Sequence, residues 1–566
     1  MTLAPLVLLC LGLFVLAYLL YGRLLARLFR LDAKARTPAH ERCDGVDYVP
    51  TSRFYLLSQH FSAISAAGPI AGPILACTMF GWEPALLWIV LGSIFIGAMH
   101  DFAALIGSVR HGGCSVAEIL KRHLNPRTYA LFSLYIWFAL IYVILAFTDV
   151  TARAFVENLE VEVGTTGGTM LRVPGAGVAS ASMLYLGLGL LLGVVTRYLR
   201  WRVAVQTLVF VPLVGVAIWL GPHLPLDLSS GGEIPSLTWA WLILGYCGVA
   251  SLLPVWLLLQ PRGYLGGFFL YLTLGGGLVG LLVANPEIRF DAFAGFTARN
   301  GQTLYPFLFI TIACGACSGF HGLVCSGTTS KQIDREPDAH AVGYGAMLLE
   351  GVVAILALAC VMWLAKDAAL IGKGPDKVFG YGVGSFLNAL GVPLHFAVTF
   401  GMLAFATFVY DTLDVCTRLA RYLFQEFTGW RGPGAAVAGT LVSLAIPLWA
   451  VAQTARDPTG AVVPAYRVVW PLFGSTNQLL AALTLVALTL WLTRTGRPLV
   501  VRLLVGLPAL FMLATTMTAL WLQVRSAWTS PGSQPIVYVG ALLMVLAAWV
   551  SVEAMVALRA GRTRAA

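Results

Sequence analysis

The chain has 566 residues, of which 58% are hydrophobic and 11% charged, against a charged share of about 25% in soluble proteins. That composition excludes a soluble globular protein and points to an all-α polytopic membrane protein. The formal charge of +10 then reports topology and anionic lipid, and nucleic acid is excluded as a partner.

Windows of about 20 apolar residues predict fifteen transmembrane spans. The first eight are Leu6 to Tyr21, Phe61 to Phe80, Ala85 to Gly107, Tyr129 to Thr148, Val178 to Val195, Val203 to Leu220, Leu237 to Leu259 and Leu265 to Ala284. The remaining seven are Leu304 to Cys325, Val342 to Leu364, Phe386 to Tyr410, Ala435 to Ala452, Val468 to Trp491, Leu503 to Leu522 and Ile536 to Leu558. One set of alternate loops, from Arg23 to Arg53 through to the tail Arg559 to Ala566, holds 26 of the 36 Lys and Arg residues; the other set holds 10. The positive-inside rule therefore places the N-terminus outside and the C-terminus in the cytoplasm.

The first span opens MTLAPL, with neither a basic n-region nor a cleavage site, and reads as retained. No cysteine falls in an external loop, so no disulfide is expected. With short loops throughout, residues 1–566 read as a single transmembrane transporter domain. It comprises a first span and basic loop (1–53), a core (54–493) and two accessory spans (494–566). No G-x-x-x-x-G-K-[ST] pattern occurs, so transport is expected to be gradient-driven, not powered by ATP. The longest external loop, Asp149 to Gly177, reads as a solvated cap.

The second span organises the chain. In SAISAAGPIAGPILACTMF (Ser62 to Phe80), Gly68-Pro69 and Gly72-Pro73 lie one helical turn apart. Each proline lacks an N–H and repels the carbonyl four residues back, freeing the carbonyls of Ser65 and Pro69. In a membrane such a break is tolerated where protein or a wet cavity satisfies the freed groups, as at transporter binding sites; the alternative is a kink that only shapes packing. The seventh span, carrying Gly245, Gly248 and Pro254 in GYCGVASLLPVW, is expected to be the second interrupted helix. It crosses in the opposite sense, as an inverted repeat requires.

The runs GPIAGPILA (from Gly68), GWEPALLWIVLGSIFIGAMHDF (from Gly81), LLPVWLLLQPRGYL (from Leu252), ACGACSGFHGLVCSGTTSKQ (from Ala313), GYGAMLLEG (from Gly343), TLDVCTRLARY (from Thr412) and WPLFGSTNQLLAAL (from Trp470) resemble the carbon starvation protein A (CstA) family. The resemblance implies an inner-membrane transporter induced when carbon is scarce, taking up peptides or, in close relatives, pyruvate with a proton. It also implies a five-plus-five inverted-repeat architecture with discontinuous helices. The chain departs from longer members in reading Pro261-Arg262-Gly263 where those tend to have Pro-Arg-Asp.

Ionisable groups inside a membrane are functional candidates by default. Glu350 is the one carboxylate placed deep within a span, as a proton carrier or a structural hydrogen-bond partner. His60 is the second proton-coupling candidate, since an imidazole titrates near neutrality; a headgroup-level anchor is its alternative. His100 and Asp101, adjacent and so about 100° apart on a helix, are expected to contact different helices, as a gate or ion-pair or, beside the cytoplasmic Arg110, as a structural anchor. Asp411 and Asp414, continued by Arg418 and Arg421, read as a cytoplasmic ion-pair ladder, either gate or anchor. Cys314, Cys317, His321 and Cys325 share a helical face, but one straight helix cannot wrap a metal, so no metal is expected. Ser318, His321, Ser326, Thr328 and Thr329 are expected to line a polar cavity facing the first broken helix, and Asn477, with Ser475, Thr476 and Gln478, the path or an interhelical contact. With no Lys or Arg inside a predicted span, a substrate carboxylate would sit on half-helix N-termini near Gly68 and Gly72 or Gly245 and Gly248.

The expected function is a secondary transporter importing a small carboxylate such as pyruvate with a proton, without cofactor or enzymatic activity. Na⁺ is the alternative coupling ion and peptide the alternative substrate. A nutrient receptor without flux and an intramembrane metallohydrolase are the readings from other classes. Oligomeric state is not set by the sequence.

Overall fold

The computed structural model describes residues 1–124, 126–163, 169–231, 233–454, 465–528 and 534–563. Residues 164–168 of the long loop and 564–566 of the basic tail lie outside the described residues. Its long helices are α1 (Leu3–Leu28), a bent pair α2 (Arg53–Ile64) and α3 (Gly68–Phe80), α4 (Trp82–Arg110), α5 (Pro126–Ala154), α6 (Gly175–Leu199) and α7 (Val203–His223). Then come α8 (Leu237–Leu252) and α9 (Leu259–Ala284), followed by α10 (Leu304–Thr311) and α11 (Gly319–Gly327), joined through the single turn Ala313–Ala316. The series ends with α12 (Glu336–Met362), α13 (Pro375–Asn388), α14 (Leu394–Thr428), α15 (Pro433–Ala450), α16 (Ala465–Arg494), α17 (Leu499–Trp528) and α18 (Gln534–Thr563). A small antiparallel hairpin, β1 (Leu159–Val163) and β2 (Thr169–Val173), pairs Leu159 with Val173.

Twelve helices among the described residues are long and apolar enough to cross a membrane, thirteen if the bent pair counts as one span. The core is built from α4, α12, α14 and α16; α12 and α14 are 89% buried over their apolar windows, whereas α7 and α18 are 28% and 22% buried and present their sides to lipid.

The first break holds, but it precedes the prolines. α2 and α3 meet at 43° across residues 65–67. Pro69 sits in the first turn of α3, where its missing N–H costs nothing, and only Pro73 lies inside the helix.

The second break differs from the expectation. α8 runs unbroken through Gly245 and Gly248, and its chain turns only afterwards, before α9 begins at Leu259. The counterpart of α2/α3 is α10/α11, where Cys317 and Ser318 are extended. The two broken segments run antiparallel. A Cβ on Gly68 would strike Cys314, one on Gly72 would lie 2.5 Å from the Thr311 carbonyl oxygen, and further along His60 meets Thr329 at 2.8 Å. Each is followed by a long helix with a π-helical turn, Ser93–Gly97 in α4 and His340–Gly345 ahead of Ala346 in α12.

The predicted span Phe386 to Tyr410 straddles a turn. Gly391 has φ of +88° and Pro393 precedes α14. A positive φ suits glycine and a proline cannot continue a preceding helix, so the apolar run divides between α13 and α14.

Candidate transport site

His321, on α11 just past the second break, is the centre of a buried ionisable chain. Its Nδ1 lies 2.9 Å from Asp101 Oδ2 of α4, and its Nε2 lies 3.0 Å from Glu350 Oε2 of α12. The second contact has ion-pair distance without hydrogen-bond alignment, and both Glu350 oxygens lack a hydrogen-bond partner. His100 Nδ1 reaches Asp101 Oδ1 at 2.8 Å, so these neighbours pair with each other, contrary to the helical-spacing argument. An imidazole is long enough to fold back onto the next side chain. All four groups are fully buried.

Asn477 of α16 serves the break itself. Its Oδ1 accepts the Phe320 N–H at 2.9 Å and the Ser318 hydroxyl at 3.2 Å, while its Nδ2 lies 3.2 Å from Cys314 Sγ. It therefore caps the first turn of α11, where N–H groups have no intrahelical acceptor. Ser475 and Gln478 instead face α17, bonding Gln523 and Met512. Because the helix stops between Ala316 and Gly319, Cys314 and Cys317 do not share a face with His321 and Cys325. Cys325 Sγ lies 3.9 Å from His60 Nε2. Ser326 and Thr328 donate to the carbonyls of Gly322 and Val324 in their own chain segment, so only Thr329 of that group turns to the first broken helix.

The second buried cluster was missed because its cation fell between two predicted spans. Arg262, in the first turn of α9, is 2% exposed. Its Nε meets Asp411 Oδ1 at 2.6 Å and its Nη1 meets Asp414 Oδ2 at 2.5 Å. The Tyr246 hydroxyl donates to Asp414 at 2.7 Å, and Ser62 of α2 donates to Asp411. The Asp411–Asp414 spacing therefore serves a neighbouring helix, not a ladder along α14. Arg418 donates instead to the carbonyls of Ala250 and Leu253, at 2.8 and 2.6 Å, capping the C-terminus of α8 where the helix dipole favours a cation. Glu350 is accordingly one of five buried carboxylates among α4, α12 and α14, with Asp101, Glu336, Asp411 and Asp414.

A cavity of about 60 Å³ reaches the first break at Ala67 and Ala71, and continues beside Leu75, Pro375 and Trp470 into one of about 330 Å³. Arg153, Glu157, Lys373 and Asp376 line its mouth, so the end of α5 next to the hairpin contributes to the vestibule as well as to a cap. Phe405 of α14 lines this cavity. Asp411 and Asp414 follow along the helix, and Arg421 lies about 24 Å further on than Phe405 at 1.5 Å per residue. The Arg262 cluster thus lies along α14 between the vestibule and the opposite face.

The carbon starvation protein CstA family model matches residues 3–373 and 364–519. Among curated proteins, the pyruvate/proton symporter BtsT of Escherichia coli is 31% identical over 93% of this chain and 82% of its own length. The peptide transporter CstA of the same organism is 32% identical over 90% and 79%, and that of Helicobacter pylori 31% over 88% and 79%. Among solved structures, a variant of the manganese transporter of Eremococcus coleocola superposes with a TM-score of 0.52 at 14% identity, covering 92% of this chain and 99% of that one. Two antiparallel broken helices in a multi-pass helical membrane protein, and sequence likeness over nearly the whole length, agree: the chain belongs to the carbon starvation protein CstA family of membrane transporters.

Proposed function

We propose that this transporter imports a small carboxylate such as pyruvate together with a proton, across the cell inner membrane and in response to carbon scarcity. The observation that carries the reading is the buried chain His100–Asp101–His321–Glu350 beside the second break. Carboxylates and imidazoles in contact can pass a proton without its entering hydrocarbon, and such groups are costly there unless used. Glu350 and His60 are the proposed proton carriers. A pyruvate/proton symporter and peptide transporters stand at similar identity, so peptide uptake is the second reading.

The substrate carboxylate sits at the N-terminal turn of α3 at Gly68 and Gly72, near Pro69 and Pro73, where the helix dipole favours an anion. Buried Ser65 Oγ, without a partner among the described residues, lies at the same break. Gly245 and Gly248, inside an unbroken helix, drop out of the pathway. Ser318, Asn477 and Thr329 hold the second break and its junction with α2. With the basic loops in the cytoplasm, this reading makes the hairpin face external, opens the vestibule outward, and gives Arg262, Asp411 and Asp414 the role of a closed inner gate.

Uptake of labelled pyruvate into proteoliposomes tests the reading. An imposed inward proton gradient should drive accumulation above equilibrium, and unlabelled pyruvate should compete better than di- or tripeptides. Accumulation that ignores the proton gradient removes the symport, and preferential competition by peptides replaces pyruvate with peptide.

A further inference from the structure

On the face opposite the vestibule, a cavity of about 540 Å³ lies between the C-terminal ends of α8 and α14 and the start of α15. Its polar floor carries Lys331 and Arg421. Arg421 is 8% exposed, and its Nε has no hydrogen-bond partner. Lys331 Nζ lies over the Tyr422 and Tyr48 rings, at 4.2 and 5.5 Å from their centroids, and among the described residues no carboxylate is within ion-pair distance of either cation. The carboxylates that share the cavity are engaged: Asp47 accepts from Tyr422 and stands 3.8 Å from Arg418, and Glu426 accepts from Ser115 at 2.7 Å. Gly432 and Pro433 bring the N-terminal turn of α15 to the same space, with no side-chain cap and, at Gly432, open surroundings.

A buried guanidinium with a free donor, an ammonium without a counter-ion and an uncapped helix N-terminus all favour an anion, and a phosphate group satisfies all three at once. The wall is different in kind. Leu252 and Val437 are apolar and 40% and 43% exposed, on the lipid-facing sides of α8 and α15. A site at the ends of spans, cationic below and apolar beside, matches a lipid with a phosphate headgroup and acyl chains. We infer that this cavity holds the headgroup of one anionic phospholipid.

The test is native mass spectrometry of the full-length protein in detergent, with equal amounts of phosphatidylglycerol and phosphatidylcholine added. One phosphatidylglycerol per chain should be retained in preference. Lys331→Gln and Arg421→Gln should each weaken that retention about fivefold, the effect of one basic residue near a lipid headgroup, while Lys34→Gln, exposed elsewhere, leaves it unchanged. Thermal melting in phosphatidylcholine alone identifies a variant that fails to fold, in which case the other variant decides. Equal retention of the two lipids, or retention indifferent to both substitutions, overturns the inference. So does inorganic phosphate that displaces the lipid at millimolar concentration, which makes the ligand a soluble phosphate.

Discussion

Replacing Glu350 with glutamine separates a proton carrier from a structural anchor. The amide keeps the volume, so the fully buried pocket on α12 gains no cavity. His321 retains its 2.9 Å contact to Asp101 and loses one of two acidic neighbours. The contact at 3.0 Å lacks hydrogen-bond alignment, so what is lost is the difference between a charged and a neutral partner, about 1 kcal/mol. The variant should melt within about 5 °C of the parent by the usual ratio of energy to melting shift. Proton-driven pyruvate accumulation in proteoliposomes should nevertheless fall at least about tenfold, a barrier change of only ~1.4 kcal/mol, while exchange of internal for external pyruvate at equal pH persists. A Glu350→Gln protein that accumulates pyruvate at the parental rate under a proton gradient would refute the assignment. Equal loss of exchange, accumulation and melting temperature would make Glu350 structural.

Other perturbations address the remaining parts. Asn477→Ala orphans the Phe320 N–H and the Ser318 hydroxyl, both buried, at about 1–3 kcal/mol each; a clear fall in melting temperature is expected, and no change would deny Asn477 its role at the break. Arg262→Leu leaves Asp411 and Asp414 buried without their cation, costing about 3–5 kcal/mol. Adding Asp411→Asn and Asp414→Asn should recover most of that stability, and failure to recover would show that the charge pairing is not what Arg262 supplies. Gly68→Ala drives a methyl into Cys314 where the broken helices cross, an overpacking of about 1–3 kcal/mol, and should depress uptake more than Gly245→Ala, whose added carbon meets open space. Parity of uptake between those two alanine variants would remove the crossing from the pathway.

The first break was legible because its cause is covalent: a proline lacks its N–H in any surroundings, and two Gly-Pro pairs one turn apart mark the place. The second was not. Nothing between Thr311 and Gly319 forbids a helix, and Gly315 and Gly319 read equally well as packing glycines. Gly319 does pack closely, against the backbone of α16, but a new helix starts there because Asn477, 157 residues away from Phe320, supplies an acceptor for the freed N–H. The prolonged apolar run from Leu237 to Ala284 likewise concealed where one helix stopped, and with it the burial of Arg262.

By itself, the sequence determined the helical membrane class, nearly every span, the first break and the family. Each follows from local properties: hydropathy over a bilayer's thickness, the missing proline N–H, and contiguous motifs. Tertiary structure alone decided the partners. Asp101 with His321 and Glu350, Asp411 and Asp414 with Arg262, and Arg418 with the end of α8 all join distant stretches of chain. A charge in a low-dielectric interior takes whichever opposite group the packing of helices brings within about 3 Å, and no spacing along a single helix encodes that choice.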